Sequence, residues 1–355
     1  MSFKSIFGGF AVLILLSGAS CEQVSRFSFE NSTLIKTFPV EIKEIPESGI
    51  SVLDIDATGV LGVKILNDIL LISSRDKEQC ISAYLFSGEK YLKSFLATGR
   101  GPGEVLYTPY ISWLSFYSLG DTTQCMGFYD FKGGYFECNI PASLAAGSMI
   151  GEQKVASLSV SSGARYFRIN ADSLLCRKSN DKGTGYVRFI TDKRGERMSH
   201  PSMEDLNRFS SSFPNDLSTL IMVNEKANRI VELGSGLPVI HLYSIHGSYA
   251  KSLHIGEYAE ISNIESNDGT IRKRYYYDAK QFEEGFAGLF LNCTNEQIDE
   301  NDFPNPEVHV FSWTGEPIAR IRLPIRALSF DIDYSNRMLY LVDEETEQIL
   351  LCKWG

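Results

Sequence analysis

The sequence predicts an all-β protein: a six-bladed β-propeller of four-stranded antiparallel blades, its ring closed by an N-terminal strand that joins the last blade. A sequence pattern of two short apolar runs joined by a polar turn recurs about six times after residue 80. Glycine occurs in most of these turns. The copies lie at residues 83–95, 128–138, 189–198, 241–253, 308–321 and 341–351. This spacing is typical of propeller blades, and we find no long amphipathic helix pattern.

The blades follow in chain order. Blade one is expected at about residues 51–97, with strands near 62–66, 69–73, 81–86 and 91–96. Blades two, three and four should end near residues 142, 200 and 255, and blade five should cover 278–324. Only three strands of blade two are clear in the sequence. Short helical turns are expected at 142–147 and 202–209.

The last blade lacks one strand. Its apolar runs at 328–333, 337–342 and 348–352 make three strands before the chain stops. The run at 33–42 is spare and can supply the fourth strand, which would join the two termini in one sheet. Such closure protects edges that would otherwise be exposed.

The composition restricts the classes of function. A single propeller uses the whole length of 355 residues, and a hydrophobic content of 43% is enough for its core. The formal net charge of −10 argues against a general nucleic-acid binder and against adhesion to anionic membranes by charge. We expect a monomer with no cofactor.

The N-terminus predicts export. Lys4 precedes the apolar run 6–16, which is too short to span a bilayer, and small residues at 17–20 precede Cys21. This arrangement resembles a bacterial lipobox, although Gly18 stands where leucine is typical; an ordinary cleaved signal is the alternative. The predicted organisation is a signal peptide at 1–20, a lipid-anchored tether at 21–32 and a propeller at 33–355. Lipidation of Cys21 would make an outer-membrane lipoprotein, facing either the periplasm or the surface.

The other six cysteines lie mostly inside apolar runs, where a thiol acts as a small hydrophobe. Cys125 and Cys138 flank one predicted hairpin and form the one pair that could be a disulfide. The spacing matches no zinc site, so no metal is predicted.

Two segments resemble a known family. Residues 330–343 resemble the opening of an NHL-type blade, and residues 98–104 resemble the Gly-x-Gly-Pro-Gly-Glu turn of TolB-like and NHL-like six-bladed propeller lipoproteins of the Bacteroides type. With the signal, the resemblance covers nearly the whole chain. It implies an exported binding scaffold.

Four long connections are expected on one face of the ring, at 97–110, 197–217, 255–277 and 293–305. The first contains Arg100 and Glu104. These two residues either pair within a rigid turn or place Arg100 at the channel mouth, where it would bind an anion. The missing Lys-Ser/Thr ending excludes a phosphate-binding Walker loop.

A basic and aromatic cluster at 272–277 is the second candidate site. Tyr275 could stack on a sugar while Arg272 and Arg274 hold its polar groups; alternatively, the tyrosines enter the next blade's core and the arginines are solvated. Acidic residues crowd 296–302, which suits a solvated loop better than a calcium site.

No catalytic residue is predicted, since no nucleophile with its base and no HExxH or Gly-x-Ser-x-Gly pattern occurs. The sequence therefore favours a non-catalytic propeller that binds a glycan, a peptide or an envelope protein at its loop-rich face. The alternatives are a polysaccharide lyase or hydrolase acting at the channel mouth, and a purely structural envelope partner.

Overall fold

The computed structural model describes residues 26–75, 78–86, 90–119, 123–130, 134–155, 164–265 and 269–355. Within these ranges, the strands form six sheets: four of four strands and two of five. The six-bladed propeller is confirmed, and each blade is an antiparallel sheet of four strands. The two additional strands come from the N-terminal segment.

This N-terminal segment, residues 26–57, is called the strap. It contains β1 (Ser32–Ile35), β2 (Ile42–Glu44) and β3 (Ile50–Val52), and each of these strands joins a different blade. The strap begins inside the molecule: Phe27 and Phe29, in the predicted tether, are buried. The backbone N–H of Phe27 donates to the carbonyl of Ala259 at 2.8 Å.

The six blades follow the strap in chain order. The strands of blades one to three are β4 (Val60–Leu66), β5 (Ile69–Ser74), β6 (Gln79–Leu85), β7 (Lys90–Ala97), β8 (Ser115–Leu119), β9 (Thr123–Asp130), β10 (Gly134–Asn139), β11 (Gly151–Val155), β12 (Arg165–Arg168), β13 (Ser173–Ser179), β14 (Tyr186–Asp192) and β15 (Arg197–Met198). Those of blades four to six are β16 (Thr219–Asn224), β17 (Arg229–Gly234), β18 (Val239–Tyr243), β19 (Ala250–Ile255), β20 (Lys273–Gln281), β21 (Gly285–Thr294), β22 (Glu307–Ser312), β23 (Pro317–Arg322), β24 (Ala327–Asp333), β25 (Met338–Asp343) and β26 (Ile349–Lys353).

Four short α-helices lie between strands in the part of the chain that the structure describes. They are α1 (Ile140–Ala146), α2 (Pro201–Asn207), α3 (Ile261–Glu265) and α4 (Asn295–Asp299). The first two confirm the predicted helical turns. The side chain of Asn139 caps the N-terminus of α1, and Gly147 ends it in the left-handed region at φ 74°. Beyond α1, β11 supplies the fourth strand of blade two. No helix among the described residues is long and apolar enough to cross a membrane.

The predicted route of ring closure was wrong in one respect. Residues 33–42 do not pair with the last blade: β1 runs parallel to β19 in blade four, and β2 runs parallel to β23 in blade five. The missing strand of blade six is β3, which pairs antiparallel with β26. The strap passes the outer edges of blades four, five and six in turn. Only its last residues, next to blade one, therefore reach the edge of blade six.

Buried aspartates join the inner strands of neighbouring blades. Asp278 of β20 accepts hydrogen bonds from the Ser329 hydroxyl at 2.7 Å and from the Phe330 N–H at 3.1 Å. Asp331 of β24 accepts from the Ile65 N–H at 2.6 Å and pairs with Lys64 at 2.9 Å, so it connects blade six to blade one. Carboxylates that accept several hydrogen bonds can be buried without remaining unsatisfied.

The six cysteines among the described residues are free and buried. Cys125 and Cys138 lie on adjacent strands and form no disulfide; the Cys138 sulfur lies 3.2 Å from the Ser143 hydroxyl instead. Burial raises the pKa of the Cys80 thiol to about 11, which keeps this thiol protonated. These cysteines are part of the blade cores.

Candidate functional site

A cavity of about 720 Å³ opens on the face that carries the long loops, and we call it the upper cavity. Three of the four long connections contribute to its wall, through Asn215, Arg274 and Phe303, among others, and Trp113 contributes from just beyond the end of the connection at 97–110. The strand topology explains this convergence. In every blade, the link that leads into the innermost strand and the loop that joins the second and third strands emerge at the same end. Loops held by a rigid scaffold are frequent binding sites.

Three arginines and one carboxylate are the ionised groups in the wall of the upper cavity: Arg165, Arg177, Arg274 and Glu344. The wall is therefore basic within a chain whose net charge is −10. Arg274 is partly neutralised, since its guanidinium lies 3.4 Å from Asp216 and donates to the Asn295 side chain at 2.9 Å. Among the described residues, neither Arg165 nor Arg177 has a carboxylate within ion-pair distance.

Arg177 is the most unusual group in this wall. It lies on β13, is only 8% exposed, and has its guanidinium 4.8 Å from the centre of the Tyr186 ring. One of its terminal nitrogens donates to the carbonyl and, at 3.2 Å, to the hydroxyl of Thr219. Its Nε has no acceptor among the described residues. Burial lowers the pKa of Arg177 to about 10, so the group remains charged at neutral pH.

Arg188 lies directly opposite Arg177 on β14 and, unlike Arg177, forms an ion pair with a buried carboxylate. Its Nε lies 2.8 Å and 2.9 Å from the two oxygens of Glu232, which also accepts from the hydroxyls of Thr219 and Tyr243. Burial favours the neutral acid, but Arg188 and the hydroxyls outweigh it and hold the pKa of Glu232 below its usual value. Glu232 is therefore an anion paired with Arg188. Its charge also raises the pKa of Arg177, but Arg177 has no ion-pair partner of its own among the described residues.

An aromatic surface continues from the upper cavity. The guanidinium carbon of Arg165 lies 3.8 Å from the centre of the Trp113 ring, and the Trp113 ring lies 4.6 Å from that of Tyr110. Trp113 and Arg165 also line a smaller side cavity of about 60 Å³, which Tyr107 borders. Tyr107 is 70% exposed and Tyr110 is 43% exposed. We call Tyr107, Tyr110 and Trp113 the aromatic arm.

The opposite end of the channel differs in charge. A cavity of about 320 Å³ there is lined by Lys64, Arg168, Lys226 and Lys280. Lys226 is exposed to solvent, and the other three cations have carboxylate partners: Lys280 lies 2.6 Å from Asp278, and Lys64 and Arg168 have partners at 2.9 Å and 3.1 Å. Among the described residues that line the two cavities, buried positive charge without an ion pair is therefore found in the upper one.

The sequence-predicted residues Arg100 and Glu104 lie in the link between blades one and two. Arg100 is exposed, and the Glu104 side chain accepts the Gly101 N–H at 2.5 Å. Backbone hydrogen bonds from Gly99 to Val105 and from Val105 to Ala97 close the turn. The Glu104 side chain therefore contacts the backbone of the turn to which it belongs.

The residues of the predicted cluster at 272–277 contact different parts of the protein. Arg272 lies over the Phe213 ring and 3.6 Å from Asp216, and Arg274 reaches the upper cavity. Tyr275 is 5% exposed and its hydroxyl donates to Glu257 at 2.6 Å. The five predicted ligand residues therefore do not form a single cluster, and Arg274 is the one that lines the upper cavity.

Arg177, Arg165 and the aromatic arm are not among the residues predicted from the sequence. Arg177 stands in the run Leu-Leu-Cys-Arg-Lys-Ser, where it is indistinguishable from a solvated strand residue. The aromatic arm follows the 98–104 turn, and its density of aromatic residues was the available signal. Among the described residues, no group of three or more His, Cys, Asp or Glu side chains could hold a metal ion.

Comparison with known proteins supports the fold. No protein-family model and no curated protein matches the chain. A solved structure from Bacteroides fragilis, described as an exported protein, has 12% identity and a TM-score of 0.51, covering 90% of this chain and 98% of that one. A duf4221 family member from Bacteroides vulgatus has 12% identity and a TM-score of 0.52, covering 88% and 96%. At these identities, the likeness shows that the chain shares their propeller fold.

Proposed function

We propose that this protein is an exported, lipid-anchored propeller that binds an acidic ligand in the upper cavity without converting it. The observation that carries the proposal is the buried charge of Arg177 in the cavity wall, which has no ion-pair partner among the described residues. An unpaired ion in a protein interior costs several kcal/mol, and a carboxylate or sulfate ligand would remove that cost. A guanidinium fork also suits planar oxyanions.

The same wall supports binding rather than catalysis. Hydrolysis of a glycosidic bond by the common mechanism needs two carboxylates flanking the bond. Glu344 is the carboxylate among the described residues that line the upper cavity, and no histidine lines it. A cation over an aromatic ring and serine hydroxyls suit recognition of a charged ligand.

The export and anchoring parts of the proposal rest on the N-terminal sequence and on the fold. The apolar run at 6–16 followed by Cys21 resembles a lipoprotein signal. The B. fragilis protein with the same fold is described as exported. The TolB-like and NHL-like resemblance of residues 98–104 and 330–343 points in the same direction. Mass spectrometry of the envelope fraction would test acylation of Cys21; a free thiol there would contradict it.

The binding proposal is tested with the chain from residue 22, which includes every residue that the structure describes. We expect sodium galacturonate to raise the melting temperature and uncharged galactose to leave it unchanged, since a ligand that binds only the folded state stabilises it. Arg177→Met should weaken galacturonate binding at least tenfold by calorimetry. Arg194→Met is the matched control, because this arginine is exposed in the β14–β15 turn of the same blade.

Two results would contradict the proposal. One is equal binding of galacturonate by wild type and by Arg177→Met. The other is the absence of a thermal shift with galacturonate, sulfate and an acidic peptide, which would leave the upper cavity without an acidic ligand.

A further inference from the structure

We propose that the ligand is an acidic oligosaccharide, with its charged unit at Arg177 in the upper cavity and further units along the aromatic arm. This inference rests on the proposed function and specifies its ligand. The inference is based on the fact that the upper cavity and the side cavity share part of their walls. Trp113 and Arg165 line both cavities.

The aromatic arm is suited to stacking. Tyr110 packs on Trp113, and Tyr107 is the most exposed large hydrophobic side chain among the described residues. Exposed aromatic rings beside a cavity are a cost to solubility unless a ligand covers them. A pyranose ring covers such a surface with its apolar C–H face and leaves its hydroxyls at the edge.

The cavity provides partners for those hydroxyls. Ser179, Ser218, Ser235 and Asn215 line it between the arginines. Hydroxyl and amide groups can donate and accept, so they match the alternating donors and acceptors of a sugar. The opposite wall carries Phe303 and Leu291, which suits the apolar face of a sugar ring.

Charge selects an acidic sugar over a neutral one. Arg177 and Arg165 are the groups of the wall without a carboxylate partner among the described residues, and they lie at the inner end of the aromatic arm. A neutral glycan would leave Arg177, which is buried, and Arg165, which is half-buried, without a counter-charge, whereas a uronate places its carboxylate against them. An acidic peptide or an amphiphilic acid shares the charge, but neither supplies repeated hydroxylated rings for the arm.

The experiment compares chain length and charge by calorimetry. The probes are galacturonate, trigalacturonate, fully methyl-esterified trigalacturonate, decanoate and hexa-aspartate. We expect the trimer to bind wild type at least tenfold more tightly than the monomer, and its uncharged ester at least tenfold more weakly than the trimer. The double variant Tyr107→Ser/Tyr110→Ser should bind the trimer no more tightly than wild type binds the monomer. Tyr91→Ser, an exposed tyrosine on the outer strand β7, is the matched control.

The outcomes separate the two proposals. If the monomer binds and the trimer binds no tighter, or if the double variant keeps the full affinity for the trimer, the oligosaccharide inference fails and the acidic site stands. Tighter binding of decanoate or hexa-aspartate than of the trimer also overturns it. If Arg177→Met leaves every affinity unchanged, both proposals fail.

Discussion

Arg177 shows, at the level of one residue, how the proposed binding of an acidic ligand would oppose stability. Like charges directly opposite each other across two strands are destabilising, and Arg177 faces Arg188 in this way. Glu232 neutralises one of the two cations and lies fully buried. Natural proteins keep such unfavourable contacts where function requires them, and stability is then sacrificed for binding.

The first prediction concerns the repulsion between Arg177 and Arg188. Arg177→Met should raise the free energy of unfolding by about 1 kcal/mol without ligand, because replacing a buried charge by an apolar side chain of similar volume is neutral or stabilising. Urea unfolding of both proteins in ligand-free buffer measures the difference. Arg188→Met should do the reverse and destabilise by about 3–5 kcal/mol, since it leaves Glu232 buried and unpaired. A large loss of stability in Arg177→Met would show that this arginine is structural.

The tyrosines at 275–277 illustrate a different outcome at the residue scale. Tyr275 and Tyr276 are buried, and the Tyr276 hydroxyl lies 3.1 Å from the ring of His309. Tyr277 donates its hydroxyl to the carbonyl of Ala327 in blade six. These contacts fit the alternative in which the tyrosines enter the blade cores.

At the scale of elements, the strap is the main departure from a plain propeller. Its strands β1 and β2 cover the outer edges of blades four and five, which would otherwise be open to pairing with other chains. Its beginning is attached through buried histidines. The Phe29 N–H donates to the Ser252 hydroxyl, which lies 3.0 Å from the His241 ring, and the rings of Phe27 and His241 are 4.7 Å apart.

His254 holds the neighbouring loop in the same region. Its Nδ1 accepts the Ala259 N–H at 3.0 Å, which requires that this nitrogen carry no proton. The carbonyl of Ala259 in turn accepts from Phe27. Burial lowers the pKa of His254 to about 4 and that of His241 to about 3. For His241, Glu232 raises the pKa whereas Arg188 and His254 lower it further.

The second prediction is that mild acid destabilises the strap and blade four. Both histidines titrate near pH 6.5 in the unfolded chain, so between pH 6.5 and 4 the unfolded state binds more protons than the folded state. Their contribution is complete above pH 6.5 and is lost as the pH falls toward 4. The expected loss between pH 7 and pH 5 is about 2 kcal/mol for each histidine.

Urea unfolding at pH 7 and pH 5 checks this loss. His254→Gln should reduce the pH dependence by the contribution of one histidine, and His246→Gln, which changes an exposed ring, should not. A pH dependence that is the same in wild type and His254→Gln would contradict the assignment.

At the scale of the whole molecule, the ring is closed twice. β3 pairs with β26 at the outer side of blade six, and Asp331 joins the inner strand of blade six to that of blade one. The Lys64–Asp331 pair is nearly excluded from solvent. Both contacts connect residues more than 260 positions apart, so closure forms only when the six blades have assembled.

The third prediction tests the inner closure. Asp331→Ala should lower the free energy of unfolding by about 3–5 kcal/mol, because Lys64 would remain buried without a partner and the Ile65 N–H would lose its acceptor. Asp333→Ala is the control, since Asp333 lies two residues along the same strand and caps only a turn at Asn336. Its cost should be about 1 kcal/mol or less. Equal losses in the two variants would show that Asp331 does not hold the ring together.

Local sequence patterns by themselves determined the blade repeat, the short helical turns and the long loops of one face. They also showed that the last blade lacked a strand, because counting apolar runs needs no knowledge of their partners. Strand period and turn residues are short-range properties, and the structure agrees with them closely.

Only the tertiary structure decided which edge each strap strand joins and which arginine is buried. Alternating apolar residues give a strand a face to bury, but an open edge of any blade can accept it. The charge of Arg177 is likewise unpaired only because β13 and β14 place Arg188 opposite it, where Arg188 takes the buried Glu232 of blade four. Burial and pairing depend on contacts between distant segments, which no local pattern specifies.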